Sequence, residues 1–166
     1  MSISEILVAD FDAEIASTRR LLERIPESHS QWKPHEKSMP MGRLALHVAR
    51  LPNFCTRIFT TDEMNMATEK FPPIVFESTA QLLSELTRSS AEAKAHVLAS
   101  SDEHVRGHWK LCFGERVIVD TPRLELYRTM FLNHLAHHRG QLTVYLRLLD
   151  IPVPGLYGPS ADEPFS

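Results

Sequence analysis

The stretch NHLAHHRGQL, residues 133–142, places three histidines within five positions of a segment otherwise rich in Leu, Phe and Tyr. Apolar residues and two of these histidines recur around it at intervals of three and four: Tyr127, Phe131, His134, His138, Leu142, Tyr145 and Leu149. This is the period of a buried helix face. The pattern predicts a helix over about residues 121–150 in which two histidines occupy core positions.

Three more segments have helical periodicity, and they are about residues 4–25, 41–59 and 78–100. The connection over residues 61–77 is polar and then broken by prolines, and it is long enough to cross over a helical bundle. Residues 102–120 alternate around Gly114 and predict a short extended excursion or hairpin near 104–120. The fold class expected is therefore all-α, a four-helix bundle with long crossover connections, forming one domain over residues 1–166.

Composition limits the classes of function. Net charge is -3, and the 18 Lys and Arg residues are scattered rather than gathered into a basic stripe, so nucleic acid is not an expected partner. The acidic N-terminal segment is unlike a secretory signal, and no apolar run is long enough to span a bilayer. The two cysteines form no CxxC and fit reduced thiols. We expect a cytoplasmic protein with no membrane partner.

Histidines on two helices predict a metal site. His134 and His138 differ by about 40° around a helix axis and by about 6 Å along it, so both rings can reach one ion. His47 also replaces a core residue, in the stripe of Leu44, Leu51 and Ile58 on the second helix. A divalent cation would satisfy the acceptor nitrogens of all three rings at once. His137 faces another way, and Gln141 is a candidate partner for a ring nitrogen.

Several features have a simpler interpretation. An i, i+4 histidine pair is common on helices without metal, so hydrogen-bonded core or surface histidines are the alternative to a metal site. Leu135 stands where the HExxH metalloprotease motif has its Glu, and no catalytic residue is identified. We expect Cys55 to be a packed thiol, and Trp32 and Tyr157 to pack at the ends of the bundle rather than cover a pocket. The remaining histidines are predicted at the surface or in loops: His29, His35, His96, His104 and His108.

Three stretches resemble the DinB family of metal-binding four-helix proteins over nearly the whole chain. They are WKPHEKSMPMGRLALHVARLP (residues 32–52), NHLAHHRGQLTVYLRLLDIPVP (residues 133–154) and LYGPSADEP (residues 156–164). The resemblance implies that His47, His134 and His138 bind a divalent metal, zinc or nickel, with water in the remaining positions. It also implies a homodimer.

The resemblance implies an enzymatic role as well. Members of the family include S-transferases that use low-molecular-weight thiols such as bacillithiol or mycothiol, and a maleylpyruvate isomerase. Three imidazoles leave the metal open to a further ligand, unlike structural zinc with its four protein ligands. We therefore expect a metal-dependent enzyme acting on a small molecule, a thiol-dependent S-transferase in first place. The alternatives are a non-catalytic, metal-stabilised bundle and a metal-dependent hydrolase or isomerase.

Overall fold

The computed structural model describes residues 1–73 and 75–164. Residues 74, 165 and 166, which belong to the predicted crossover and to the end of the predicted domain, lie outside that description. The described part is mainly helical, as predicted, with α1 (Ile3–Leu22), α2 (Met41–Thr60), α3 (Thr79–Leu98), α4 (Asp102–Arg106), α5 (Arg123–Leu126) and α6 (Asn133–Leu148). A π-helical turn, Tyr127–Leu132, joins α5 to α6. None of these described helices is long and apolar enough to cross a membrane.

The all-α prediction holds only in part, because the mainly helical chain also has three strands that form a small sheet in the order β1 (Glu63–Asn65), β2 (His108–Phe113) and β3 (Arg116–Pro122). β2 and β3 are the antiparallel hairpin expected near residues 104–120, and Gly114 takes a φ of 60° at its turn, where a side chain would be strained. β1 was not predicted. It lies in the crossover and pairs with β2 in parallel, with Met64 opposite Leu111. A plain four-helix bundle is therefore not confirmed.

The predicted helix ends are correct to within about three residues. α1 stops before residue 25 because its last turn tightens, with the Ile25 amide donating to Leu22 three residues back. α2 continues through Pro52, which lies inside it. The last helical run ends at Leu148, and Asp150 then takes a φ of 55°, a conformation that a helix cannot contain.

The core brings the two histidine-bearing helices together. α2 packs against both α3 and α6. Its apolar stripe of Leu44, Leu51, Cys55 and Ile58 is buried, as predicted. Complete burial of one such leucine or isoleucine contributes roughly 1.5–3 kcal/mol, so the stripe fixes which face of α2 turns inward. His47 lies on that face.

Arg123 fixes the hairpin to the end of α2. Its buried guanidinium donates to the carbonyl oxygens of Ile58 (2.9 Å) and Thr61 (2.9 Å) at the end of α2 and to that of His108 (2.8 Å) on β2. A cation is favourable beside the carbonyl oxygens at a helix C-terminus, which carry partial negative charge. The hairpin is thereby held beside α2, where it forms one wall of the cleft described below.

Candidate metal centre

The structure brings together the three histidines that the sequence singled out. Nε2 of His134 lies 2.8 Å from Nε2 of His138 and 3.5 Å from Nε2 of His47. One nitrogen from each ring lies within 4.8 Å of the others, a spacing that could hold a metal ion. His47 comes from α2, and His134 and His138 lie one turn apart on α6. Whether they bind metal stays a prediction.

The opposite ring nitrogens decide what the converging ones can do. Nδ1 of His134 donates to the Met130 carbonyl oxygen (3.3 Å), and Nδ1 of His138 donates to Oε1 of Gln141 (2.8 Å). A neutral imidazole has one donor and one acceptor, so both Nε2 atoms are lone-pair acceptors. Two lone pairs that face each other at 2.8 Å repel unless a cation lies between or beside them. The arrangement fits a metal ion. Gln141 is the hydrogen-bond partner of the His138 ring, as the sequence suggested.

The surroundings keep these rings neutral. Burial, followed by the neighbouring rings of His138 and His134, lowers the pKa of His47 from its usual 6.5 to about 4. Burial also lowers the pKa of His134 and of His138, although their hydrogen bonds to Met130 and Gln141 oppose part of this effect. A neutral imidazole is the form that ligates metals. Protonation therefore competes weakly for the converging nitrogens.

A cleft of about 940 Å³ opens beside His47 and His134. Its wall is largely apolar and includes Leu51, Phe54, Met64, Leu111, Phe113 and Ile118. Helix α2, the crossover and the hairpin all contribute to this wall, and Met130 of the π-helical turn also lines it. The histidine group thus has access to a space large enough for a small molecule.

Comparison with known proteins agrees with this architecture. Residues 1–164 match the sequence model of the DinB family. The chain belongs to the DinB family. The uncharacterized protein YrdA of Bacillus subtilis is 26% identical to it over 156 residues, which are 93% of this chain and 86% of YrdA.

Two solved structures share the fold of this DinB-family chain at low sequence identity. A DinB-like protein from Bacillus cereus has a TM-score of 0.71 and 20% identity, with 94% of this chain and 98% of that chain covered. The DinB-like protein YjoA from Bacillus subtilis has a TM-score of 0.66 and 18% identity, with 89% and 96% covered. At these identities the likeness shows the fold alone.

The other side chains considered from the sequence are not part of the converging group, although the His137 ring lies against His138 with ring centroids 4.9 Å apart. His137 is exposed, and Trp32 packs edge-on against Tyr145 with ring centroids 5.6 Å apart. His104 is the exception to the surface prediction, because it lies partly buried on α4 with Nε2 3.0 Å from the Phe59 carbonyl oxygen. Cys55 is fully buried, and burial raises the pKa of its thiol, as expected of a packed residue rather than a nucleophile.

Sequence reasoning missed Arg139 of the DinB-family chain. Its side chain is buried, and its guanidinium donates to the backbone oxygen (3.0 Å) and carboxylate of Glu14 and to the hydroxyl of Tyr157. A signal was present, since Arg139 shares the spacing of Leu135, Leu142 and Leu146, all of which are buried. An arginine in such a stripe needs a buried partner. Tyr157 accordingly packs on Arg139, and the described lining of the cleft does not include it.

Replacement of Gln141 by leucine is expected to weaken binding of zinc or nickel by about 10–100-fold. The change removes the acceptor that holds Nδ1 of His138, so the ring loses its fixed tautomer and orientation. Titration of metal-free protein with a competing chelator measures the affinity. Thr143→Leu on the same helix is the control, and equal affinities in the two variants would contradict a role for Gln141.

Proposed function

We propose that this chain, as a single DinB-like domain, binds a divalent metal, zinc or nickel, through His47, His134 and His138 and catalyses transfer of a low-molecular-weight thiol to a small electrophilic substrate. One observation carries the proposal: three neutral imidazole nitrogens converge at the edge of an apolar cleft. The family resemblance supplies the thiol as cosubstrate. Homodimer formation and a cytoplasmic location stay predictions.

Open coordination supports catalysis over a purely structural role. Structural zinc sites usually have four protein ligands, and catalytic sites usually have three with an exchangeable position. His47 and His134 both line the cleft, so a fourth ligand would come from that side. A thiol and an electrophile can meet there within a space of about 940 Å³.

The chemistry divides between the metal and the chain. A bound divalent metal lowers the pKa of a thiol or water ligand, so a nucleophile forms near neutral pH. Met130 and Gln141 hold the His134 and His138 rings in place, and the apolar wall excludes water from the electrophile. In the transfer, the thiol proton goes to water, a carbon–sulfur bond forms, and the leaving group departs with the electron pair of the bond that breaks.

A second candidate is a metal that only stabilises the fold. It is favoured by one feature, the origin of the three imidazoles on two different helices, because an ion held by them would fasten α2 to α6. This candidate predicts a higher melting temperature with metal and no turnover. The two proposals therefore differ in a single measurable property.

Turnover by untagged, metal-loaded protein is expected in a screen that combines bacillithiol, mycothiol or cysteine with chlorodinitrobenzene. His47→Ala should lower the rate at least about 100-fold, because loss of the metal removes several kcal/mol of transition-state stabilisation. The control His137→Ala changes an exposed histidine near the site and should retain the rate. Equal rates in metal-free and metal-loaded protein would contradict the proposal. Metal-dependent melting without turnover for any thiol would support the second candidate.

A further inference from the structure

The cleft beside the histidines carries more positive than negative side chains. Four basic residues and two acidic ones line it: Arg50, Arg57, Lys70, Arg88, Glu69 and Glu85. The chain as a whole has a net charge of -3. A positive cleft in a negative protein attracts anions more strongly than the rest of the surface does, since low-dielectric walls focus the field.

Among the described residues that line the cleft, the ion pairs leave the Lys70 ammonium without a carboxylate partner. Glu85 accepts from both Arg50 (3.2 Å) and Arg88 (3.3 Å), and Arg57 pairs with Glu69. Arg88 also pairs with the carboxylate of Glu92 on α3, so three carboxylates balance the three arginines. Lys70 pairs with no carboxylate among the described residues and lies exposed at the cleft. It is available to an anionic ligand.

Helix α2 sets the distance between the two ends of the cleft. His47, Leu51, Phe54 and Arg57 recur at intervals of four and three and share one face of the helix. Ten residues separate His47 from Arg57, which is about 15 Å along the axis. Lys70 follows Glu69, the partner of Arg57, so the unpaired cation lies at the end of the cleft away from the histidines. Apolar side chains occupy the space between.

We infer that the cleft selects amphipathic anions, meaning small molecules with an aromatic or aliphatic body and one carboxylate or sulfonate group. The body packs against Phe54 and Phe113, and the anionic group lies towards Arg57 and Lys70. The molecule then extends along α2 with its other end near the three histidines. As a statement about substrates this rests on the proposed function, but the ligand preference can be measured without turnover.

Two fluorescent dyes with the same aromatic body test the preference. Anilinonaphthalenesulfonate carries one negative charge, and N-phenylnaphthylamine carries none. The sulfonate is expected to bind more tightly at low salt, with a difference that shrinks as salt screens the charge. Lys70→Gln should lower the affinity for the sulfonate dye about two- to fivefold and leave the affinity for the neutral dye unchanged. Lys37→Gln, an equal charge change in an exposed loop outside the cleft, is the matched control.

A second pair of variants locates the dyes. Phe113→Ser removes an exposed aromatic ring that lines the cleft and should weaken the binding of both dyes. Val117→Ser removes an exposed apolar side chain of the same hairpin that is outside the described lining, and the binding of both dyes should stay unchanged. Both substitutions act on exposed side chains, so the fold is expected to survive.

The outcomes separate this inference from the proposed function. Charge-selective binding that depends on Lys70 and Phe113, with no thiol turnover, would support the inference and contradict the proposed transferase activity. Equal binding of both dyes, or equal effects of Lys70→Gln and Lys37→Gln, would overturn the inference. A smaller mass in light scattering for Phe113→Ser than for wild type would also overturn it, because a second copy of the chain would then cover the cleft.

Discussion

Replacement of His138 by alanine is expected to abolish binding of one divalent metal per chain. The variant keeps His47 and His134 but loses the ring whose Nε2 lies 2.8 Å from that of His134. Loss of one of three ligands should lower the affinity at least about 100-fold, given the total binding energy of protein zinc sites. Elemental analysis of untagged protein, followed by titration against a chelator, measures both the stoichiometry and the affinity.

The same variant should no longer gain stability from metal. If the three histidines bind metal as proposed, a free concentration 100 times the dissociation constant should stabilise the wild-type fold by about 2.7 kcal/mol and raise the melting temperature by about 5–10 °C. The metal-free variant should melt close to metal-free wild type, because its alanine relieves the contact between two lone pairs. His137→Ala, an exposed histidine one position earlier, should bind and melt like wild type. One ion per chain in the His138 variant would show that other ligands hold it.

The convergence of the histidines could be predicted because two local patterns sufficed. Helical periodicity placed His134 and His138 on the inner face of one helix and His47 on the inner face of another. Burial of the flanking apolar residues then left little freedom in which way each ring points. The π-helical turn before Asn133 does not turn the predicted inner face outward, since Tyr127 and Phe131 within it remain buried.

The cleft could not be predicted because it depends on contacts between residues distant in the sequence. β1 has three residues and pairs in parallel with residues of β2 that lie 47 positions later in the chain. No periodicity shows in so short a strand, and its polar neighbours indicate a loop. The positions of Phe113 and Ile118 opposite α2 follow from the Arg123 contacts, which join three separate segments. An arginine alone in a sequence gives no sign of such a role.

Arg139→Met is expected to lower the free energy of unfolding by about 3 kcal/mol or more. The substitution keeps much of the side-chain volume but removes the cation from a buried ion pair, in which the side chains of Arg139 and Glu14 are 1% and 19% exposed. The Glu14 carboxylate then remains in a partly buried position without its partner, and the Tyr157 hydroxyl loses the guanidinium. Urea denaturation of the metal-free proteins measures the change.

Two further variants separate the ion pair from general damage to the helix. Adding Glu14→Gln to Arg139→Met removes the charge left behind and should restore at least about 1 kcal/mol of the free energy of unfolding. Arg128→Met changes an exposed arginine on the same helical run, and its free energy of unfolding should stay within about 0.5 kcal/mol of the wild-type value. If Arg139→Met unfolds at the same urea concentration as Arg128→Met, the contacts to Glu14 and Tyr157 do not stabilise the fold, and the chain keeps a buried arginine beside its histidines for another reason.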